Sequence, residues 1–329
     1  MTIDWAAELP VVTLPDDAKW RENFCFTGYD KTRNCGFWIH MGRWPLDVKI
    51  WREQVLLMLP DGSHLVHRAW GWRPSGSGPA GALLDLVCIK PGHEWRLRYH
   101  GPVRRAFDEE LLRGPLTEGQ QILLDLDLVF RSDRDVWDMG AAAHGQNWGK
   151  SHIEQVGRVT GDIAWADSAL QMDGMGWRDH SRGARDIIAQ RRHLWMHGEL
   201  SEGRAFAVTI VDQVPASDVP QFCQVIIWDG VRIIEARCIN PPLLESPHDP
   251  PETYEMALES ELGTIPISAR ITHSLPHSSS RSYEVFDGVA PGLGHVVAYE
   301  QSTILTIDGA EYEAHTERSL LLPAPPAKD

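Results

Sequence analysis

Residues 174–186 read Gly-Met-Gly-Trp-Arg-Asp-His-Ser-Arg-Gly-Ala-Arg-Asp and place ionisable groups of both signs beside a tryptophan. A carboxylate, an imidazole and several guanidinium groups close together are the equipment of acid–base catalysis. A charged turn between two strands, with exposed ion pairs that add little stability, explains the same composition. The stretch is therefore either a catalytic centre or a charged turn, and evidence from the rest of the sequence is needed to distinguish the two.

The composition of the whole chain restricts the class of protein. Its 329 residues suffice for two domains, and its hydrophobic content of 43% is typical of a soluble globular protein. The net charge of −15 argues against a nucleic-acid partner and against an anionic membrane surface. No apolar run approaches the length of a membrane span, and the N-terminus lacks the pattern of a signal peptide. The five cysteines show no C-x-x-C spacing, which indicates reduced thiols in a cytoplasmic protein.

Short apolar runs separated by Gly, Pro, Asp and Asn recur along the chain and predict antiparallel strands. Residues 121–131 alternate apolar and acidic side chains, which is typical of a half-buried strand. The pair Asp308-Gly309 predicts a tight hairpin, and residues 71–81 predict a flexible loop. One short helix is predicted at residues 104–113. Because no long pattern has a helical period, the protein is predicted to be mostly β, as a barrel or a sandwich.

A tryptophan followed two residues later by a histidine occurs once in each half of the chain. These pairs are Trp38 with His40 and Trp195 with His197, and on a strand the members of each pair point to one face. The repetition is either a coincidence among aromatic-rich strands or the sign of two similar barrel-like halves. The second interpretation divides the chain into an N-terminal surface arm, a first domain and a second domain, at residues 1–20, 21–173 and 174–329.

A second group of chemically useful residues lies in the stretch His-Ile-Glu-Gln-Val-Gly-Arg-Val-Thr-Gly, residues 152–161. On a strand His152 and Glu154 project to the same face, where they could orient water, protonate an alkene or bind a metal. A solvent-facing polar strand edge would show the same alternation. We predict no metal site, because no H-E-x-x-H, H-x-H or cysteine ligand pair is present. We also predict no cofactor, because no G-x-G-x-x-G or Walker loop is present.

Together, residues 152–161 and 174–186 resemble the CrtC/AttH-like lipocalin-related family, which includes carotenoid 1,2-hydratase. The motif Gly-Leu-Gly-His-Val-Val-Ala-Tyr-Glu at 292–300 is similar to the glycine-rich final strand of that family. The resemblance implies an all-β fold of two tandem lipocalin-like antiparallel β-barrel domains that hold a hydrophobic ligand. It further implies that Asp179 and His180 transfer protons, with His152 and Glu154 in support.

One position departs from the family pattern, because Arg182 stands where the family has a tryptophan. A cation there should repel a carbocation, which favours a substrate that carries an oxygen atom over an unfunctionalised polyene. The neighbouring arginines also favour the charged form of Asp179, which suits a group that acts as base and acid in turn. Arg182 or Arg185 would then polarise the oxygen of the substrate.

We therefore predict a cofactor-independent lyase or isomerase, hydratase-like, that acts by proton transfer on a hydrophobic terpenoid, steroid-like or aromatic molecule. A non-catalytic carrier of a lipophilic ligand and a salt-bridged hinge between the barrels remain alternatives. A homodimer is compatible with the sequence. The predicted catalytic residues are Asp179, His180, Arg182, Arg185, His152 and Glu154, and the predicted substrate-binding residues are Trp177, Arg178, Trp38, His40, Trp195, His197, Tyr299 and Glu300.

Overall fold

The structure is a computed structural model that describes residues 4–44, 46–140, 151–184, 190–213, 221–247, 250–279, 287–289 and 296–322. In chain order its elements are α1 (Trp5–Glu8), β1 (Trp20–Asp30), β2 (Cys35–Trp44), β3 (Asp47–Met58), β4 (His64–Gly71), β5 (Leu84–Lys90), β6 (Glu94–Ala106), α2 (Asp108–Leu112), β7 (Gln120–Arg131), β8 (Trp137–Asp138), β9 (Ser151–Trp165), β10 (Ser168–Ala184), β11 (Gln190–Ser201), β12 (Arg204–Gln213), β13 (Phe222–Trp228), β14 (Ile233–Ile239), β15 (Thr253–Ser260), β16 (Gly263–Ser279), β17 (Val296–Ile307) and β18 (Ala310–Leu321).

Eight antiparallel strands close the first barrel in the order β10-β1-β2-β3-β4-β6-β7-β9, and β9 pairs back to β10. The strands β5 and β8 pair with β6 and β9 outside this ring. Alternate residues of each strand fill the interior, as Phe24 and Phe26 of β1 and Leu126 of β7 do. The alternation of residues 121–131 is confirmed, because β7 buries every second side chain over most of its length.

The second barrel contains β11 to β18 in sequence order and is closed by pairing between β11 and β18. Its core includes Met196, Phe206 and Leu258. The hairpin predicted at Asp308-Gly309 is confirmed, and both residues have positive φ angles there, 51° and 80°. An Asp-Gly pair adopts this conformation at low cost, which fixes the register of β17 against β18. The prediction of two antiparallel β-barrels is thus confirmed.

The chain divides into two compact units at places that the sequence pattern did not mark. The first unit contains residues 1–106 and 119–186, and the second contains residues 107–118 and 187–329. The strand β10 runs straight through the boundary predicted between residues 173 and 174, and it pairs with both β1 and β9. The first barrel cannot close without the residues after 173, so the chain leaves the first unit after Asp186.

The N-terminal segment is only in part the surface arm that its prolines predict, because residues 12–19 are mostly exposed whereas Glu8 and Leu9 are anchored in the first barrel. It contains the short helix α1, which Asp4 caps by accepting a hydrogen bond from the Ala7 N–H at 2.9 Å. Glu8 at the end of this helix is fully buried, and Leu9 packs against the core of the first barrel. No helix within the described residues is long and apolar enough to span a membrane.

Three other local predictions need correction or fall outside the described residues. The loop at residues 71–81 is held to β5 by backbone hydrogen bonds, including Leu86 N–H to Pro79 O at 3.0 Å, so it is anchored and not flexible. The helix predicted at 104–113 shortens to α2, because its first residues end β6. The alternation of short apolar runs also predicts a strand at 281–286, which lies outside the described residues.

Candidate active site

The strand pair β9–β10 decides which of the predicted catalytic residues meet. Asp179 lies opposite Glu154, and His180 lies opposite Ile153. Since successive residues of a strand face opposite sides of the sheet, Asp179 and His180 point in opposite directions through the barrel wall. The ring of His180 stacks on the core residue Phe24, with centroids 3.8 Å apart, so His180 faces the barrel interior. The structure therefore separates the predicted proton-transfer pair.

Asp179 has a different histidine as its partner. On the outer face of the first barrel, His152 Nε2 forms an ion pair with Asp179 Oδ2 and lies 3.2 Å from Glu154 Oε1. Glu154 is fully buried, whereas Asp179 keeps 9% of its surface accessible. Ser181 Oγ donates a long hydrogen bond of 3.4 Å to Asp179 Oδ1. We call His152, Glu154 and Asp179 the outer-face triad.

The two carboxylates determine the protonation state of the imidazole in this triad. Burial alone lowers the pKa of His152, but the charge and hydrogen bond of Asp179, together with those of Glu154, outweigh it and raise the pKa from 6.5 to about 9. His152 is therefore an imidazolium at neutral pH. The triad holds one proton between an imidazole and a partly accessible carboxylate, which is an arrangement for moving a proton in either direction.

The same three side chains have the donor set of a metal site. Their ligand atoms lie within 4.8 Å of one another. One imidazole nitrogen and two carboxylates suit a divalent cation, although such a cation would have to displace the proton that His152 holds at neutral pH. His180, the histidine next to Asp179 in the sequence, faces the other side of the barrel wall. Our prediction of a metal-free site stays a prediction.

Neighbouring strands extend the outer face beyond the triad. The pairing of β2, β1, β10 and β9 places His40, Cys25, Asp179 and Glu154 in one row across four strands. Two residues further along each strand, Trp38 and Trp177 flank Thr27 of β1 in a second row on that face. Trp38 and His40 stack with ring centroids 5.1 Å apart. The structure thus brings the predicted substrate-binding residues Trp38, His40 and Trp177 to the same face as the triad.

Arg178, predicted to bind substrate, instead lies inside the first barrel. Its guanidinium makes two hydrogen bonds to the carboxylate of Glu8, at 2.7 and 3.1 Å, and its Nε donates to Gln155 Oε1 at 2.8 Å. Trp95 Nε1 donates to the same carboxylate at 2.8 Å. Every one of these groups is buried, so the network is a structural brace whose donors and acceptors satisfy each other.

His180 and Arg182 belong to the interior as well. His180 Nε2 lies 3.3 Å from Glu22 Oε1, and burial lowers the pKa of His180 although Glu22 raises it in part. Arg182 donates a hydrogen bond to the carbonyl of Ala7, so its guanidinium holds the N-terminal segment and does not face the triad. Arg185 lies outside the described residues. The arginine that would polarise a substrate oxygen is therefore not Arg182.

A second cluster lies on the outer face of the second barrel. Glu300 is fully buried and accepts hydrogen bonds of 2.9 Å from both His277 Nε2 and His315 Nε2. Burial raises the pKa of Glu300, but these two histidines outweigh burial and lower the pKa below 4.5. His197 stacks on His315 at 5.2 Å and packs edge-on against Trp195 at 4.7 Å. Burial, with a smaller contribution from His315, lowers the pKa of His197 well below 6.5, so His197 is neutral.

The sequence indicated only part of this second cluster. Glu300, Trp195 and His197 were predicted, whereas His277 and His315 were missed because isolated histidines on strands carry no local signal. Tyr299 faces the opposite side, where its hydroxyl donates to Pro247 O at 2.6 Å. The predicted pair of Tyr299 and Glu300 is thus separated by the same strand alternation that separates Asp179 from His180.

The two barrels repeat one structural unit. Gln155 and Gln301 each follow a buried glutamate, in the sequence Glu-Gln, on the next-to-last strand of their barrel. Each glutamine accepts a hydrogen bond from a buried arginine on the last strand: Arg178 at 2.8 Å and Arg318 at 2.7 Å. Glu154 and Glu300 therefore occupy equivalent outer-face positions.

The architecture of two antiparallel barrels is similar to that of a solved AttH-type structure, and the fold that the motifs predicted is confirmed. Residues 10–237 match the model of DUF7064, a domain of unknown function, and the chain belongs to that family. No curated protein matches the sequence.

Solved structures share this fold at low sequence identity. CghA, crystallised with Sch210972, is 11% identical with a TM-score of 0.58, covering 93% of this chain and 89% of its own. A putative AttH (NE1406) from Nitrosomonas europaea is 13% identical with a TM-score of 0.55, covering 91% of both chains. Kievitone hydratase from Nectria haematococca is 9% identical with a TM-score of 0.51, covering 92% of this chain and 89% of its own. These likenesses establish the fold.

Proposed function

We propose that the protein is a cofactor-independent lyase or isomerase of the hydratase type, and that it transfers protons at the outer-face triad to and from a hydrophobic substrate. The observation that carries the proposal is the buried contact of the His152 imidazolium with Asp179 and Glu154. Buried acid–base groups with strongly shifted pKa values concentrate at catalytic sites. The name of kievitone hydratase, a protein of the same fold, supports the reaction class.

The triad contains every proton that a dehydration requires. Asp179 removes a proton from carbon, the C–H electron pair forms the double bond, and the hydroxyl on the adjacent carbon leaves with the Nε2 proton of His152 as water. Asp179 is then neutral, and its proton returns to His152 across their hydrogen bond, which restores the starting state. Hydration follows the same steps in reverse. Glu154 keeps His152 oriented and favours its charged form.

The residues that share the face with the triad favour a flat, apolar substrate. Trp38, His40 and Trp177 supply aromatic surface on neighbouring strands, and such surface suits a terpenoid, steroid-like or aromatic molecule that carries an oxygen. A cytoplasmic location stays part of the proposal and is supported by five cysteines that form no disulfide bond with one another.

The experiment that tests the proposal is isotope incorporation. Purified protein is incubated with a lipophilic extract in deuterated water and, separately, in heavy-oxygen water, and the products are compared by mass spectrometry. Wild type is compared with Asp179→Asn and with Asp173→Asn, a matched control on the same strand whose carboxylate is exposed and paired with Arg158.

We expect wild type and Asp173→Asn to label one compound and Asp179→Asn to label it at least about a hundredfold more slowly, because a positioned acid–base group contributes about that much. If a compound is recovered bound and unlabelled from all three proteins, the protein is a carrier and the proposal fails.

A further inference from the structure

A groove of about 900 Å³ opens in the first unit, away from the residues of the triad. One wall is formed by residues 9–14 of the N-terminal segment, and the other by residues 72–80 of the anchored loop. The strands β2 and β3 contribute Arg43, Ile50 and Trp51. Its volume lies in the range of about 300–1,000 Å³ that is usual for small-molecule sites.

Both walls of this groove are held in place by hydrogen bonds to the barrel. The Val11 N–H donates to the buried carboxylate of Glu22 at 3.2 Å, and Arg43 Nη2 donates to Val11 O at 3.2 Å. In the loop, Gly78 has a φ of 154°, and a Cβ at this position would lie 1.8 Å from Leu86 O. Only glycine allows that approach, so Gly78 lets the loop lie directly against β5.

Several apolar side chains that line the groove are exposed to solvent. Val12 is 98% exposed and Trp72 is 60% exposed, and both line it. Leu9, Leu14 and Ile50 add further apolar lining. Exposed apolar residues gathered around one concavity, rather than scattered singly, are typical of a ligand site.

The charges around the groove are of one sign. Among the described residues, Arg43, Lys49 and Arg73 line it and no carboxylate does, although the chain as a whole carries a net charge of −15. Arg43 is neutralised by Glu22 at 3.2 Å, and Arg73 by Asp85 at 2.7 Å.

Lys49 differs from the two arginines, because no carboxylate of the described residues pairs with its ammonium group. An apolar groove with one cation whose ammonium group forms no ion pair within the described residues complements a molecule that has an apolar body and one negative charge. We propose that the groove binds an anionic amphiphile, a medium- or long-chain carboxylate. Its apolar body lies against Trp72, and its head group pairs with Lys49. This binding site goes beyond the proposed function and is independent of it.

Calorimetric titration of the full-length protein with decanoate and with decanol, each below its aggregation limit, tests the inference. The two probes share the apolar body and differ in charge. Lys49→Glu removes the cation, and Trp72→Ala removes the aromatic wall. The matched controls are Lys90→Glu and Trp5→Ala, which alter exposed side chains outside the groove.

Wild type is expected to bind decanoate saturably and decanol more weakly. Because Lys49→Glu replaces the ammonium group with a carboxylate, it should weaken decanoate binding about tenfold or more and leave the binding of uncharged decanol within about twofold. Trp72→Ala should weaken the binding of both probes. The two controls and Asp179→Asn should bind as wild type does, which separates this site from the triad. Absence of saturable binding, or equal effects of Lys49→Glu and Lys90→Glu, overturns the inference.

Discussion

Two adjacent residues of β10, Asp179 and His180, lie in different chemical environments. Asp179 faces outward, where its partner His152 is charged at neutral pH, and His180 faces inward, where burial lowers its pKa beside Glu22. The histidines on the two faces, His152 outside and His180 inside, have opposite pKa shifts, so the direction of the side chain, and not its position in the motif, decides its role. Two consequences at the scale of single residues can be measured.

The first consequence is a pH dependence of stability that originates at His152. Folding raises the pKa of His152 from 6.5 to about 9, so the folded state binds this proton more tightly than the unfolded state. The stabilisation is complete below pH 6.5 and is lost as the pH rises to about 9. It amounts to about 3 kcal/mol at most.

Urea unfolding of wild type and His152→Gln between pH 6 and 10 measures this effect. We expect the stability advantage of wild type to shrink steadily across the window from pH 6.5 to 9. An equally steep decline in His152→Gln would assign the pH dependence to other groups.

The second consequence is a difference in stability between variants of two arginines, the buried Arg178 of β10 and the exposed Arg158 of β9. Arg178→Ala leaves the carboxylate of Glu8 buried without its charge partner and should lower the free energy of unfolding by about 3–5 kcal/mol. Arg158→Ala breaks an exposed ion pair with Asp173 and should cost no more than about 1 kcal/mol. Chemical denaturation of both variants compares them directly, and equal losses would contradict a structural role for the Glu8–Arg178 brace.

At the scale of the element, β10 depends on the close approach of its neighbour β1. A Cβ at Gly174 would lie 2.1 Å from Tyr29 O, a backbone atom that cannot rotate away. Gly174→Ala must therefore push β10 from β1, and we expect a loss of about 2 kcal/mol or more in unfolding free energy, in the range that overpacking costs. Gly76→Ala is the matched control, because nothing lies within 4 Å of a Cβ there. Thermal unfolding of the two variants should differ by several degrees, and a neutral Gly174→Ala would refute this packing argument.

At the scale of the whole molecule, the sequence pattern predicted the all-β fold because alternating strands such as 121–131 and the turn Asp308-Gly309 have local causes. The site was harder to predict, since its contacts join distant parts of the chain. Glu8 and Arg178 lie 170 residues apart, and no local pattern pairs them. The Asp179–His180 pairing failed for a different reason: a charged, glycine-bracketed stretch was treated as compact, whereas its residues 174–184 are the C-terminal part of a 17-residue strand.

The repeat of the glutamine–arginine brace yields a prediction about both barrels. Within the described residues the strands of each barrel pair only with strands of the same barrel. Each barrel also has its own glutamine–arginine hydrogen bond, Gln155–Arg178 or Gln301–Arg318. Removing one brace should therefore loosen mainly the ladder that contains it, because backbone amides exchange through local opening of their own cooperative unit.

Hydrogen exchange followed by mass spectrometry of Arg178→Ala and Arg318→Ala tests this expectation. Arg178→Ala should speed exchange in β1, β9 and β10 and leave β17 and β18 near their wild-type rates, and Arg318→Ala should do the reverse. The loss of protection should be larger for Arg178→Ala, because that variant also leaves the carboxylate of Glu8 buried without its charge partner, whereas the groups to which Arg318 donates within the described residues, Gln301 Oε1 and Pro251 O, are uncharged. If either variant speeds exchange equally in both barrels, the two ladders unfold as one cooperative unit. The repeated glutamine–arginine hydrogen bond then does not stabilise each barrel separately.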